Sequence, residues 1–397
     1  MNKTENTTKN SLNERLVSII ILSYNNYRFI FDAIDSVLIQ SYSNIELIIS
    51  DDASNDFDRD SIIDHIEANR ATNLKHYTIT QNEINLGTVK NMNIALRLAQ
   101  GEYIIPFAAD DKIYHKDVIR KIVDAFKKLS ENDYLLTTQV GMFDITLTHC
   151  FGLFLQPYYS NLLNVGTARQ VYEQLASSIF IPSCGTCYKS RFFEKYGYFD
   201  ESYFLVEDWS RYLQLTRNGI SIRYFDFISF MHRDGGVSHG NKANDKKIHQ
   251  LFYNDLVRIC EKEILPFLDT FTEDRRLEAE KTYEGFKQRY MTAAKASSPS
   301  NVMVKSIAKL FLDLSQDSLS VIWIGLLLLI FDGVNGTFFN MRINFIDYIG
   351  ATICIIGLLL ALLKFLYNAF YTVRIWLRHF KFQNISSFLE HLFISGI

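Results

Sequence analysis

Short apolar runs alternate with helix-like repeats of apolar side chains between residue 16 and about residue 240. The run at Val17–Leu22 predicts a buried strand, and apolar residues recur at helical spacing from Phe29 to Ile39. Strands and helices that alternate in this way predict an α/β domain over residues 16–240, with a Rossmann-like, mostly parallel sheet. The alternation continues with a strand at Ile45–Ile49, a helix at Asp60–Asn69, a strand at His76–Thr80, a helix at Thr88–Ala99 and a strand at Glu102–Phe107.

The pattern changes after this domain. Residues 241–317 are charged and carry an amphipathic stripe, which predicts a helical linker that packs against the α/β domain. Residues 318–397 contain two apolar segments, 318–339 and 348–371, and a helix needs about 20 apolar residues to cross a bilayer. We therefore expect a transmembrane helical hairpin with a basic C-terminal tail. Asp332 leaves a re-entrant first segment open, and two buried helices of a soluble protein are the alternative.

Charges around the apolar segments predict their orientation. The polar tail at residues 1–15 has no apolar run and does not resemble a secretory signal. By the positive-inside rule, basic residues on both flanks predict that both termini lie in the cytoplasm. The α/β domain would then lie on the cytoplasmic face of the inner or plasma membrane. These basic residues are Lys305, Lys309, Arg374, Arg378 and Lys381.

Composition argues against several functions. The net charge is −3, so the chain lacks the basic excess of a nucleic-acid-binding protein. Five irregularly spaced cysteines predict a reducing compartment rather than a disulfide framework. The motif Cys184-Gly185-Thr186-Cys187 could alone be a redox pair or half of a zinc site. No second cysteine pair exists in the sequence, so we expect these cysteines to line a loop as small residues.

Two pairs of aspartates follow predicted strands. Asp51 and Asp52 come after the second strand, and Asp110 and Asp111 come after the fourth. Ligands of open parallel sheets bind beyond the carboxyl ends of the strands. Carboxylates at that place can hold a divalent cation that also binds a nucleoside diphosphate. Either pair alone could instead form a turn or cap the next helix.

Residues 16–130 resemble the N-terminal half of a family 2 glycosyltransferase with the GT-A fold. The matching elements are Tyr24-Asn25-Asn26, Gln40-x-Tyr42-x-x-Ile45-Glu46, Asp51-Asp52-Ala53-Ser54-Asn55-Asp56, Asn85-Leu86-Gly87, Asn91-x-x-x-Ala95 and Gly101-Glu102-Tyr103-Ile104. The resemblance implies a nucleotide site that holds a nucleoside, expected to be uridine. Its residues would be Ser23, Tyr24, Asn25, Asp51, Asp52, Asn85, Gly87 and Asn91.

The family's metal motif, Asp-x-Asp, follows the fourth strand. This chain has Ala108 at the position of the first aspartate. The resemblance implies that Asp110, with Asp111 beside it, holds Mg²⁺ or Mn²⁺ and contacts the nucleotide. A diphosphate and water can complete the shell of such a cation, and the missing carboxylate leaves its identity open.

Residues 182–218 resemble the family's acceptor segment, which ends in an acidic pair at the start of a helix. An inverting transfer needs a base that takes the proton of the acceptor hydroxyl. By resemblance, Asp208 is that base and Glu207 supports it, and an acidic helix N-terminus is the alternative. His232 and Arg233 resemble the family's closing element and could approach the diphosphate, or belong to a loop that merely turns the chain.

These features predict an inverting, metal-dependent hexosyltransferase of polysaccharide biosynthesis. It would transfer a sugar from a nucleotide-sugar, expected to be a UDP-sugar, to a hydroxyl of a lipid-linked or glycan acceptor at the membrane. The Gln-x-x-Arg-Trp motif of processive relatives is missing from the sequence, which favours addition of a single sugar. The alternative, based on Ala108, is a degenerate GT-A domain that binds nucleotide as a scaffold in a membrane glycan-assembly complex.

Overall fold

The computed structural model describes residues 14–235 and 246–297. Residues 298–397, with the predicted transmembrane hairpin and basic tail, lie outside the described residues, as do residues 1–13 and 236–245. Within the described ranges, no helix is both long and apolar enough to cross a membrane. The described residues up to Lys295 belong to one compact unit.

One sheet organises the described part of the chain. Its strands are Val17–Ser23 (β1), Ile45–Asp51 (β2), Leu74–Gln81 (β3), Tyr103–Ala108 (β4), Lys112–Ile113 (β5), Leu135–Phe143 (β6), Cys150–Leu153 (β7), Thr186–Lys189 (β8) and Arg223–Arg233 (β9). The strand order is β3-β2-β1-β4-β8-β6-β9-β5, and β7 pairs with β6.

Helices connect most of these strands. Every strand and helix predicted between residues 17 and 107 is present, with ends that differ by one or two residues, and the segment after residue 246 is helical as predicted. The α-helices are Tyr27–Leu38 (α1), Arg59–Asn69 (α2), Thr88–Leu98 (α3), Val118–Lys128 (α4), Pro157–Val165 (α5), Ala168–Leu175 (α6), Arg191–Tyr196 (α7), Asp208–Arg217 (α8), Lys246–Glu263 (α9) and Glu273–Ser297 (α10), and Leu265–Thr270 is a 3₁₀-helix.

The sheet is mixed, so the prediction of a mostly parallel sheet is correct for its first four strands and for the pair of β6 and β9, and wrong for the other pairs. β3, β2, β1 and β4 are parallel neighbours, because helices cross over between them. β8 runs antiparallel to both β4 and β6, while β9 is parallel to β6 and antiparallel to β5. The regular strand–helix alternation that predicts parallel pairing ends after β4, and the later strands do not follow it.

Apolar side chains pack on both faces of the sheet. Along β1, Ile19 and Ile21 belong to one core and Ile20 to the other, as the alternation of side chains along a strand requires. Strands covered on both faces have continuous apolar sequences, which explains the run at β1. The core around Ile20 also contains side chains from the helical segment after residue 246, so this segment completes the domain. They are Leu256, Ile259, Cys260, Ile264 and Ala279.

A buried carboxylate joins the amino ends of the first four strands. Glu46 on β2 is 1% exposed and accepts hydrogen bonds from the backbone N–H groups of Gln100, at 2.6 Å, and Gly101, at 3.0 Å, just before β4. It also accepts from the hydroxyl of Ser18 on β1 and lies 2.6 Å from the Nε2 atom of His76 on β3. Glu46 therefore sets the relative positions of the strands whose other ends carry the predicted site.

Replacement of Glu46 tests this role. Glu46→Ala leaves the Gly101 N–H and the Ser18 hydroxyl without their buried acceptor, and we expect a loss of about 3 kcal/mol in unfolding free energy. Glu46→Gln keeps an acceptor oxygen and should lose less than half of that amount. Urea unfolding followed by circular dichroism measures both, with Glu131→Ala at an exposed position as the control. Equal stability of the three variants would contradict the role of Glu46.

Candidate functional site

The carboxyl ends of β1, β2 and β4 meet at one edge of the sheet. Ser23 pairs with Asp51 across β1 and β2, and Leu22 pairs with Ala108 across β1 and β4. The two predicted aspartate pairs therefore lie on either side of the end of β1. The structure brings the predicted nucleoside end, at Asp51 and Asp52, and the predicted metal end, at Asp110 and Asp111, to the same edge.

Asp51 organises the predicted nucleoside turn. Its fully buried carboxylate accepts hydrogen bonds from the Ser54 backbone N–H at 2.8 Å, the Ser54 hydroxyl at 2.6 Å and the Gln81 side-chain amide at 3.1 Å. The Ser54 hydroxyl oxygen accepts a further bond from the Asn25 N–H at 2.7 Å. Asn25 and Ala53 have positive φ angles of 52° and 65°, which are uncommon for residues other than glycine. These hydrogen bonds hold the turn in that conformation.

The turn offers polar groups to a ligand. Tyr24 is 36% exposed, whereas Ser23 is buried. Among the described residues, the Ser23 hydroxyl has no hydrogen-bond partner. Buried polar groups in proteins nearly always have a partner, so this hydroxyl is a candidate contact for a bound nucleoside.

Asp52 fixes the loop before α3. Its carboxylate accepts hydrogen bonds from the backbone N–H groups of Leu86 and Gly87, both at 2.8 Å. The side-chain oxygen of Asn85 also accepts from the Gly87 N–H, at 3.0 Å. Gly87 has a φ angle of 86°, and a Cβ atom there would overlap the carbonyl oxygen of Phe204. Position 87 therefore requires glycine for its backbone angle and for this close approach.

Asn91 lies in the framework behind this loop. It is 2% exposed, and its side-chain oxygen accepts hydrogen bonds from the Ser50 hydroxyl at 2.6 Å and the Asn82 side-chain amide at 3.1 Å. Its side-chain amide donates to the Ser50 carbonyl at 2.9 Å. Asn91 thus links α3 to β2, and its predicted contact with the nucleotide stays a prediction.

Asp110 and Asp111 follow β4 and have different surroundings. Asp111 is 2% exposed, lies 2.9 Å from the Nδ1 atom of His232 and accepts the Arg233 backbone N–H at 3.2 Å. Asp110 is partly exposed, and burial together with the Asp111 carboxylate raises its pKa to about 6. Two adjacent carboxylates repel each other unless positive charge approaches, so this pair fits a divalent cation.

β9 brings the predicted cations His232 and Arg233 to these aspartates. Burial alone would lower the pKa of His232, but the Asp111 carboxylate raises it far above its usual value. The imidazole is therefore positively charged at neutral pH. Arg233 is 3% exposed, donates to the Asp110 carbonyl at 2.8 Å and pairs with Asp32 on α1 at 2.9 Å. Both positive charges thus lie at the predicted metal end.

Cys184 belongs to the same cluster, which the sequence did not indicate. The candidate ligand atoms of Asp111, Cys184 and His232 all lie within 4.8 Å of one another. They come from three distant segments, so no short motif joins them. Cys184 lies in the turn before β8 and Cys187 lies on β8, so the expectation that they line a loop is correct for Cys184 and wrong for Cys187, and both side chains pack in one apolar core. Burial raises the pKa of both thiols, to about 11 for Cys184, which disfavours the thiolate of a redox pair.

Glu207 and Asp208 stand at the start of α8. Glu207 precedes the first turn, but its side chain makes no capping hydrogen bond, which argues against a simple helix cap. Burial raises both pKa values, to about 8 for Glu207, where the Asp208 charge adds to the effect, and to about 6 for Asp208. Burial and the repulsion between the two carboxylates therefore favour a pair that holds one proton at neutral pH. Separated pKa values in adjacent carboxyl groups are typical of acid–base sites.

The loop before α8 connects this acidic pair to the nucleoside end. The carbonyl of Phe204 accepts the Val89 N–H at 3.3 Å, at the start of α3 and beside Gly87. Glu207 follows three residues later. Phe204 carried no recognisable signal in the sequence, and Asp255, which binds the same loop, was predicted only as part of a helical linker.

The fold and the site define an α/β domain with acidic residues at the carboxyl ends of adjacent strands, the usual position of a nucleotide ligand in such sheets. Residues 18–171 match the family model described as Glycosyl transferase family 2. Residues 18–171 are therefore similar to family 2 glycosyltransferases, and the described residues have the GT-A-like α/β fold that the sequence resemblance implied, with a mixed sheet.

Similar proteins match part of the chain. An uncharacterized glycosyltransferase of Haemophilus influenzae is 34% identical over 120 residues, 30% of this chain and 34% of that protein. The UDP-Glc:alpha-D-GlcNAc-diphosphoundecaprenol beta-1,3-glucosyltransferase of Escherichia coli is 41% identical over 96 residues, 24% of this chain and 36% of that protein. The mannosyltransferase PcManGT from Pyrobaculum calidifontis, solved with GDP-Man and Mn²⁺, has a TM-score of 0.46 and 16% identity, and the match covers 76% of this chain and 85% of that one. The chain spans 34% to 63% of the length of the first curated relatives.

Two glycine substitutions isolate the contact between Gly87 and Phe204. Gly219 also has a positive φ angle, 81°, but a Cβ atom there meets nothing within 4 Å. We expect Gly219→Ala to lose about 1–2 kcal/mol from backbone strain alone. Gly87→Ala should lose about 2 kcal/mol more, because its Cβ also collides with the Phe204 carbonyl. Urea unfolding of both variants measures the difference, and equal losses would show that the contact contributes nothing.

Proposed function

We propose that the protein is an inverting hexosyltransferase of polysaccharide biosynthesis. It transfers a sugar from a nucleotide-sugar, with a UDP-sugar as the expected donor, to a hydroxyl of a lipid-linked or glycan acceptor. The observation that carries this proposal is the buried Glu207–Asp208 pair, whose pKa values are separated and whose loop contacts the nucleoside end. The family 2 domain supports the same chemistry.

Asp208 is the general base of this reaction. It accepts the proton of the acceptor hydroxyl while the hydroxyl oxygen forms a bond to the anomeric carbon of the donor sugar. The bond from that carbon to the diphosphate oxygen breaks on the opposite face, which inverts the configuration. The electron pair leaves with the nucleoside diphosphate, and the proton stays on Asp208. Glu207 remains neutral, so that Asp208 carries the only negative charge of the pair.

The donor occupies the edge formed by β1, β2 and β4. Ser23, Tyr24 and Asn25 contact the nucleoside, and the buried Ser23 hydroxyl supports this assignment. Asp51 and Asp52 position these contacts through the turns that they hold. Uridine is the expected nucleoside, and the E. coli relative, which is named for a UDP-Glc donor, supports it.

Mg²⁺ or Mn²⁺ would be held by Asp110 and Asp111. The cation would supply positive charge for the leaving diphosphate. His232 and Arg233 add two positive charges next to these carboxylates. Cys184 lies within reach of Asp111 and His232, and a sulfur ligand favours softer ions than Mg²⁺.

We place the enzyme on the cytoplasmic face of the inner or plasma membrane. The apolar segments 318–339 and 348–371 with their basic flanks support this location. The E. coli relative is named for a diphosphoundecaprenol-linked acceptor, which supports a lipid-linked acceptor here. Fractionation of cells that express the full chain tests the location, and recovery of the protein in the soluble fraction would contradict it.

Substitution of the acidic pair tests the proposed base. We expect Asp208→Asn to lower transfer, or hydrolysis of the nucleotide-sugar, by about 10³-fold, because the base is lost. Glu207→Gln should keep most of the activity, since a neutral amide resembles the protonated carboxyl. Release of UDP from a panel of UDP-sugars with Mn²⁺ measures both, and Asp60→Asn at an exposed position is the control. UDP binding without turnover by the wild-type chain would favour the scaffold suggested by Ala108.

The same pair predicts the pH dependence. Only ionised Asp208 accepts a proton, and its pKa is raised by burial to about 6. We therefore expect kcat/KM to increase as the pH rises through about 6 and to fall when the pH is lowered. Steady-state measurements of kcat/KM between pH 5 and pH 8 test this dependence. A profile that is flat across pH 6 would contradict the assignment of Asp208.

The metal end yields a separate prediction. If Cys184 contributes a thiolate, Co²⁺ bound to the protein shows a near-ultraviolet sulfur-to-cobalt charge-transfer band. We expect this band in the wild-type chain and its loss in Cys184→Ser, while Cys260→Ser, at a buried cysteine in the other core, keeps it. Mn²⁺ should also raise the melting temperature more than Mg²⁺ does. Absence of the band in the wild-type chain would remove Cys184 from the ligand set.

A further inference from the structure

Helix α9 runs along the loop that precedes the acidic pair. Its contacts recur once per helical turn and follow the loop from residue 200 to residue 206. They are Lys262 Nζ to Asp200 Oδ2 at 2.7 Å, Arg258 Nη1 to the Ser202 carbonyl at 2.5 Å, and Asp255 to the backbone of residues 204–206. Side chains at one-turn intervals on α9 therefore contact the loop along its length.

Asp255 makes the most buried of these contacts. It is 1% exposed, and its Oδ2 atom alone accepts three backbone hydrogen bonds, from Phe204 at 2.8 Å, Leu205 at 2.6 Å and Val206 at 3.3 Å. A buried polar group without a partner is costly, so the carboxyl and the three N–H groups stabilise one another. One oxygen atom thus fixes the direction of three consecutive peptide groups.

The fixed segment ends directly at the candidate base. Val206 is bonded covalently to Glu207, and Asp208 begins α8. On the other side of the loop, the Phe204 carbonyl accepts a hydrogen bond from the Val89 N–H at 3.3 Å, and Phe204 contacts Gly87. Residues 204–206 are therefore held between α9 and the loop before α3, which contains Gly87. A shift at residues 204–206 would move the acidic pair relative to the donor.

We propose that Asp255 is a positioning residue for Glu207 and Asp208. It acts through the backbone of residues 204–206 and sets the distance between the base and the donor sugar. The inference rests on the proposed function, because it assumes that Asp208 takes the acceptor proton. The Oδ2 atom of Asp255 holds the backbone in place by accepting three hydrogen bonds. Its negative charge is not required, because a neutral group with an oxygen at the same place accepts the same three hydrogen bonds.

Three substitutions at this position separate geometry from charge. Asp255→Asn keeps an oxygen acceptor without charge, and we expect kcat within about threefold of the wild type. Asp255→Ala removes the acceptor and should lower kcat by about 10- to 100-fold, the effect of moving a reacting group by about 1 Å. Asp255→Glu keeps the charge but displaces the oxygen, so it should be slower than Asp255→Asn. The Kd for UDP, measured by calorimetry, should stay within about twofold in all three, because the nucleoside contacts remain.

Lys262→Ala is the matched control, since Lys262 contacts the same loop from the same helix but is 57% exposed and should leave kcat unchanged. If Asp255→Ala does not fold, the order of Asp255→Asn above Asp255→Glu remains the test. Asp255→Asn as slow as Asp255→Ala, or Asp255→Ala as fast as the wild type, would overturn the proposal.

Hydrogen–deuterium exchange tests the same contact without any turnover. We expect the amides of residues 204–206 to be protected in the wild type and in Asp255→Asn, and to exchange faster in Asp255→Ala. This result is independent of the reaction. If the wild-type chain shows no transfer while these amides remain protected by Asp255, the proposed function fails and the contact itself stands. If the amides exchange equally fast in wild type and Asp255→Ala, the positioning role fails whatever the activity.

Discussion

The backbone of Gly87 and the carbonyl of Phe204 approach each other too closely for any side chain at position 87. On one side of this contact, the Asp52 carboxylate holds the Gly87 N–H at 2.8 Å. On the other side, Phe204 accepts the Val89 N–H, and Glu207 follows three residues later. Backbone atoms therefore set the position of the Gly87 loop relative to the pair of Glu207 and Asp208. Backbone contacts of this kind allow little adjustment, so a change on either side is transmitted to the other.

The acidic residues of the site differ in how many hydrogen bonds they accept. Among the described residues, Asp51 and Asp52 each accept three, and both are buried. In the same part of the chain, the Asp208 carboxylate accepts one hydrogen bond, from the Trp209 N–H at 2.7 Å, and burial raises its pKa. Donors satisfy a buried carboxylate, whereas burial without them makes a proton or a cation favourable. The first pair therefore suits a structural role, and Asp208 suits proton transfer.

Sequence patterns predict this fold well only where the chain is periodic. β1, β2 and β4 are mostly apolar runs separated by helices, and the ends of β2 and β4 place the aspartates at one edge of the sheet. β8 has four residues, too few to show a period, so its antiparallel pairing was not predictable. The cluster of Asp111, Cys184 and His232 joins three remote segments that only the folded chain brings together. Asn91 matches a family motif, but a motif does not distinguish a side chain that bonds the framework from one that bonds a ligand.

The family match ends at residue 171, before the acidic pair, His232 and α9. The matched part holds the predicted nucleoside turn and the aspartates after β4. The acidic pair takes its position from Phe204 and Asp255, which lie beyond the match. α9 also completes the core around Ile20 and is thus as much a part of the domain as the matched strands. We therefore expect the residues that select the acceptor among the described residues beyond the family match, where the hydrogen bonds of α9 order the loop before the acidic pair.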